Sequence, residues 1–190
     1  MRAIITIVCL LTMGGYSHAE DRGLRFTAAE TFLPEPKGIA IVKAGEPGPN
    51  APKHKAIVLV GKYKETAKLA DDGPFDVWWI PKNGMALRIA AGLKLNDGEV
   101  KEIKVDDHLG LVNVRGDNQP RVGRITIAPQ DDPGPGEKGH VPIQTAKDFR
   151  VDMVVPEGFY SLWITPDNNA RPRKIIDRFR ALAGKTVQLD

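Results

Sequence analysis

Apolar residues recur at every second position in short runs along this chain. Ile57 and Leu59, then Phe75, Val77 and Trp79, alternate with other residues, as do Ile125 and Ile127, then Tyr160, Leu162 and Ile164. Successive side chains of a strand point to opposite faces, so a period of two predicts strands with one face in a core. Turn-forming clusters at 45–50, 71–74, 83–84, 96–98, 117–120 and 131–136 separate the runs. They are rich in Gly, Pro, Asn and Asp, which supply positive φ, a fixed φ or local side-chain bonds to the backbone. Five to seven short strands per half at this spacing predict an antiparallel sandwich, because parallel sheets need crossover helices for which there is no room.

Two segments depart from that pattern. Thr27-Ala28-Ala29-Glu30 has capping-box spacing and predicts a short helix stopped by Pro34. Residues 173–183 place Ile175, Ile176, Phe179, Leu182 and Ala183 at helical spacing, whereas the counterpart 87–95 reads as extended. Because both copies of a repeat should share a backbone, a strand is expected at 173–183 as well.

The repeat itself is visible in residues 73–83, which align without gaps on 158–168, with Gly73/Gly158, Trp78/Trp163, Pro81/Pro166 and Asn83/Asn168 identical. Phe75 meets Tyr160 and Val77 meets Leu162. Upstream, residues 38–43 match 110–115; downstream, Gly98 matches Gly184 before closing strands at 100–105 and 186–189. This order predicts a lead segment at 20–37, one copy at 38–106 and a second at 107–190, enlarged by the loop at 129–141.

Composition narrows the class. Gly and Pro make up 34 of 190 residues, about 18%, above the roughly 12% of average usage, so long helices are not expected. Arg2, the apolar run 3–13 and the small residues Ser17 and Ala19 read as a secretory signal peptide at 1–19, cut before Glu20. The run is too short to span a bilayer, and no transmembrane anchor is expected. Removing 1–19 lowers the net charge from +3 to +2, which implies no nucleic-acid partner. Cys9 leaves with the signal, so neither a disulfide nor a thiolate metal site is expected. A domain without cysteines or Asn-x-Ser/Thr sequons fits a bacterial periplasm or exterior.

Val155-Pro156-Glu157-Gly158-Phe159-Tyr160-Ser161-Leu162-Trp163-Ile164-Thr165, followed by a basic apolar stretch and Ala183-Gly184-Lys185-Thr186-Val187-Gln188-Leu189, resembles the closing strands of transthyretin-like (carboxypeptidase regulatory-like) domains. Copy one departs from the pattern, with Pro74-Phe75 where Phe159-Tyr160 stands. The resemblance implies a seven-strand sandwich that serves as a stabilising or binding appendage, with no catalytic residues. The fold expected is all-β: two tandem antiparallel β-sandwich domains, transthyretin-like or Ig-like, after the signal peptide. Related modules that form an isopeptide crosslink carry an Asn near the last strand; neither 99–106 nor 185–190 has one, so no crosslink is expected.

Reactive groups are sparse. Past the signal the single serine, Ser161, lies mid-strand without a glycine elbow or a neighbouring His. His54, His108 and His140 are far apart in sequence, so a zinc triad would have to assemble from distant loops. The acidic pairs Asp71-Asp72, Asp106-Asp107 and Asp131-Asp132 lack the spacing that orders oxygen ligands around Ca²⁺ and read as turn residues. No metal or other cofactor is expected.

Strand alternation sends Asp76 and Trp78 outward, and Ser161 and Trp163 with them. The two tryptophans therefore read either as a stacking platform for a sugar, with Asp76 beside it, or as rings packed beneath a loop or between the copies. Arg171, Arg173, Lys174, Arg178 and Arg180 crowd a single stretch, and Lys53, Lys55, Lys62, Lys64 and Lys68 another. These read as a face for an anionic envelope polymer or lipid head group, or as solvated edge protection. The function expected is a non-enzymatic binding or structural module of the cell envelope that partners another exported protein or an envelope polymer. A carbohydrate-binding module using Trp78 and Trp163 is the first alternative. A metal-assisted hydrolase drawing on His108, His140 and the acidic loops is the second.

Overall fold

The computed structural model describes residues 22–29, 32–116, 122–147, 149–167 and 170–190. The expected signal peptide, Glu30 of the expected helix, the turn at 117–120 and Asn168 of the internal match lie outside them.

The described residues are all-β apart from a 3₁₀ turn at Val105–Asp107. The N-terminal half contains β1 (Arg22–Thr27), β2 (Gly38–Lys43), β3 (Val58–Val60), β4 (Thr66–Leu69), β5 (Phe75–Ile80), β6 (Leu87–Leu93) and β7 (Val100–Lys104). The C-terminal half contains β8 (Leu109–Val114), β9 (Val122–Pro129), β10 (Gln144–Ala146), β11 (Val151–Pro156), β12 (Gly158–Pro166), β13 (Arg173–Ala181) and β14 (Thr186–Leu189). The sheets run β4-β1-β7 and β3-β2-β5-β6 in the first half, and β11-β8-β14 and β10-β9-β12-β13 in the second. Adding seven to each strand number of the first pair of sheets gives the second pair.

In each half, one core cluster joins the three-stranded to the four-stranded sheet. Leu24 and Phe26 of β1 and Ile103 of β7 pack in one cluster with Ile39, Ile41, Val77 and Trp79. Val112, Val114 and Met153 pack in another with Ile125, Ile127, Leu162 and Phe179. Full burial of a side chain of this size contributes about 1.5–3 kcal/mol, so each alternating run holds two sheets face to face. Phe75, Val77 and Trp79 are buried, as are Ile125 and Ile127 and Tyr160, Leu162 and Ile164, so the alternation points the expected way there. Ile57 and Leu59 are instead exposed and Val60 is buried, because β3 is a three-residue edge strand that turns the other set of side chains inward.

Several expectations change. Residues 20–37 are not merely a lead segment, for they contain β1, the central strand of its sheet, paired with β4 on one side and β7 on the other. Thr27 ends that strand, and Ala28 and Ala29 after it are not helical. The 38–43 segment corresponds by position in its sheet to β9, not to 110–115, which lies in the counterpart of β1. The sheets are not wholly antiparallel: β1 runs parallel to β7, and β8 to β14. No crossover helix is needed, because strands two to six of each half form the long connection that parallel neighbours require. Residues 173–181 form an edge strand, as the repeat logic requires.

β8 is buried on both faces. Val112 and Val114 face their own core, whereas Leu109, Leu111 and Val154 join the core cluster of the N-terminal half. The equivalent β1 has exposed Arg25 on its outer side. Ile143 packs against both clusters, so the halves meet through apolar surface.

Candidate functional site

The outer face of each four-stranded sheet carries Trp78 or Trp163, and the connection between the second and third strands of that half folds back over it. Both connections read Pro-Gly-Pro, four residues, His, two residues, Ile, at 47–57 and 133–143. Their backbones are tied alike. Glu46 N–H donates to Lys43 O at 3.1 Å and Asp132 N–H to Pro129 O at 3.0 Å. Ala51 donates to Gly48 at 2.9 Å and Glu137 to Gly134 at 3.1 Å; His54 donates to Ala51 and His140 to Glu137, each at 3.2 Å. Ile57 and Ile143 close the loops by donating to Ile41 and Ile127, each at 2.8 Å. The shared tripeptide and histidine are legible in the sequence, but aligning strands alone passes over them.

Glycine is required at the centre of each loop. A Cβ on Gly48 would overlap the Trp78 ring, and one on Gly134 would overlap Trp163. The candidate platform residues are thus covered by backbone, and each indole is only partly exposed. Stacking against the covered face would require the loop to open. A cation lies over each ring: Arg88 at 5.8 Å from the Trp78 centroid and Lys174 at 5.1 Å from that of Trp163.

The polar groups beneath the loops differ. Ser161, fully buried, accepts from Trp163 Nε1 at 2.9 Å and donates to Pro129 O at 3.3 Å. Asp76 stands in its place in the first half. Its buried carboxylate accepts from Gly92 N–H at 2.9 Å and meets Arg88 at 3.5 Å, and Trp78 Nε1 has no partner among the described residues. In place of a buried acid, the first loop is clamped by Asn50, whose amide both accepts from and donates to the backbone of Ala86 at 2.8 Å.

The second loop is fastened by Asp132. Its carboxylate accepts from Val141 N–H at 2.7 Å and Gly134 N–H at 2.8 Å and lies 2.6 Å from His140 Nδ1. Burial alone would raise its pKa, but the hydrogen bonds from Val141, His140 and Gly134, with the charge of His140, outweigh it and hold the carboxyl below its ordinary value. The equivalent Glu46 is exposed, and His54 instead meets Pro47 O at 3.2 Å.

The basic candidates divide. Arg178 and Arg180 lie 4.2 and 5.7 Å from the ring of exposed Phe159, and Arg180 pairs with Glu157 at 3.1 Å. Lys174 pairs with Asp177 at 3.2 Å; Arg173 sits opposite Ile164, and exposed Arg171 precedes the strand. His108 follows the 3₁₀ turn and is exposed, and among the described residues no three His, Cys, Asp or Glu gather as a metal site. No helix among them is long and apolar enough to cross a membrane.

A cavity of about 1080 Å³ lies between the halves, lined by Pro34, Trp79 and residues 81–84 of one and by Arg124, 144–147 and 149–154 of the other. Trp79 Nε1 donates to Tyr63 Oη at 2.9 Å, and Tyr63 Oη to Pro34 O at 3.3 Å, which ties the β1–β2 connection to this wall. Burial pushes the Tyr63 hydroxyl up to about 12, so it remains a donor at neutral pH.

No protein-family model matches the chain, and no curated protein does. Among solved structures, the Bacillus anthracis TIE protein aligns with 89% of this chain at 13% identity and a TM-score of 0.31. The chain spans about a third (33%) of that protein's length.

Proposed function

We propose that the chain is an exported, non-enzymatic binding or structural module of the cell envelope, made of two tandem transthyretin-like sandwiches behind a cleaved signal peptide at 1–19. One observation carries this reading: three of the buried polar side chains, among them Asp76 and Asp132, are committed to fastening backbone or an indole. Asp132 holds the second loop, Asp76 holds Gly92, and Ser161 bridges Trp163 and Pro129. The repeated seven-strand order supports the duplication and the sandwich that the closing-strand motif implies. The partner is another exported protein.

The test is affinity purification of the full chain from an envelope fraction. Co-purification of one exported protein at constant stoichiometry is expected, with a mature amino terminus at Glu20. Retention on glycan columns, lost in Trp163→Ala with folding intact, would instead establish the carbohydrate-binding reading. Stoichiometric metal with hydrolytic activity would establish the enzyme.

A further inference from the structure

We propose that the cavity between the halves binds an extended acidic peptide segment, which adds as a strand to the free edge of β11. This rests on the binding-module reading above and names the chemistry of the partner segment.

Two strand edges face the cavity. β11 ends one sheet of the C-terminal half and β10 ends the other. A strand that shows a face to a cavity contributes alternate residues. Here four consecutive residues of each segment, 144–147 and 151–154, line the wall, so both strands meet it edge-on. Every second residue of an edge strand turns its N–H and C=O away from its one neighbour, and an extended peptide satisfies that ladder. At six residues, β11 is the longer edge.

Charge selects the peptide. Exposed Lys82, Arg124 and Lys147 line the cavity from both halves. Of the described carboxylates there, Asp152 is engaged by Asn113 Nδ2 at 2.8 Å and Arg115 at 3.6 Å, which leaves Glu35 as the counter-charge. Acidic side chains at alternate positions of an added strand would all point to one side, towards these cations.

The experiment measures binding of the full chain to a pool of labelled twelve-residue peptides with Glu at alternate positions and Val or Thr between, by fluorescence anisotropy. Micromolar binding is expected. It should weaken about tenfold or more in the Arg124→Glu, Lys147→Glu double variant. It should be lost when alternate peptide nitrogens of one register are methylated, since this removes the strand donors and leaves the charge. Equal binding of the methylated peptide, indifference to the double variant, or no binding up to millimolar peptide overturns the proposal. Displacement by dextran sulfate together with indifference to methylation would reveal a cationic surface only, and overturns it too. If the double variant still retains the same exported protein, the cavity proposal falls and the module reading stands.

Discussion

The loop over Trp78 and the loop over Trp163 share a backbone hydrogen-bond pattern but not a fastening. Both place a glycine on an indole and close with the same four hydrogen bonds. The first is held by a neutral amide, Asn50, reaching across to Ala86; the second holds itself through buried Asp132 and its three donors. Covering an aromatic ring is thus the constant requirement, and the polar means of doing so is interchangeable. The charged fastening gives the second loop a contribution that acid removes.

Substitution at the two glycines should separate the loops most. Gly134 has φ of +102°, whereas Gly48 lies outside the left-handed region. Gly134→Ala therefore adds backbone strain to the ring overlap and should destabilise by about 3–4 kcal/mol, against about 1–3 kcal/mol for Gly48→Ala, measured as shifts in urea midpoint. Equal shifts would mean that the loops yield in the same way.

Asp132→Asn should destabilise by about 1–3 kcal/mol because it weakens a buried, charge-assisted set of bonds. Glu46→Gln, at the exposed equivalent position, should stay within about 0.5 kcal/mol. The same pair sharpens the pH comparison. The Asp132 pKa is lowered from 3.8 in the folded chain, so its contribution is complete above that value and is lost as pH falls through the folded value. Urea titrations below about pH 4 should show an acid-dependent loss of stability that Asp132→Asn reduces and Glu46→Gln leaves in place.

The smallest difference concerns the cations over the rings. Arg88→Ala should destabilise by about 1–2 kcal/mol, because it also removes a partner of buried Asp76. Lys174→Ala, whose other partner is exposed Asp177, should lose about 0.5 kcal/mol, detectable as a small midpoint shift.

Much of the sheet structure could be read from period alone. Phe75, Val77 and Trp79, and Tyr160, Leu162 and Ile164, alternate because one face of each strand meets a core and the other meets something different. The period fades where that contrast vanishes. β2 is buried at five successive positions, with Ala40 of its outer face beside the loop-covered Trp78. β8 is buried on both faces because its outer face meets the other half. Both therefore read as continuous apolar runs and match each other in sequence, although they occupy different places in their sheets. β1 does alternate, but its partners, β4 at Thr66–Leu69 and β7 at Val100–Lys104, come so much later in the chain that they leave no local signature.

The candidate site was half legible. The paired tryptophans and their outward direction followed from strand alternation, and the Pro-Gly-Pro tripeptides were present to be aligned. That the loops close on the rings required contacts between residues some thirty positions apart, such as Gly48 with Trp78 and Gly134 with Trp163.

By itself the order of side chains determined which residues of β5 and β12 face inward and where the chain turns, because these depend on neighbours one or two positions away. Sheet order, the parallel pairs, the burial of Asp132 and the cavity at the junction were decided by tertiary structure, because each depends on surfaces brought together from distant parts of the chain.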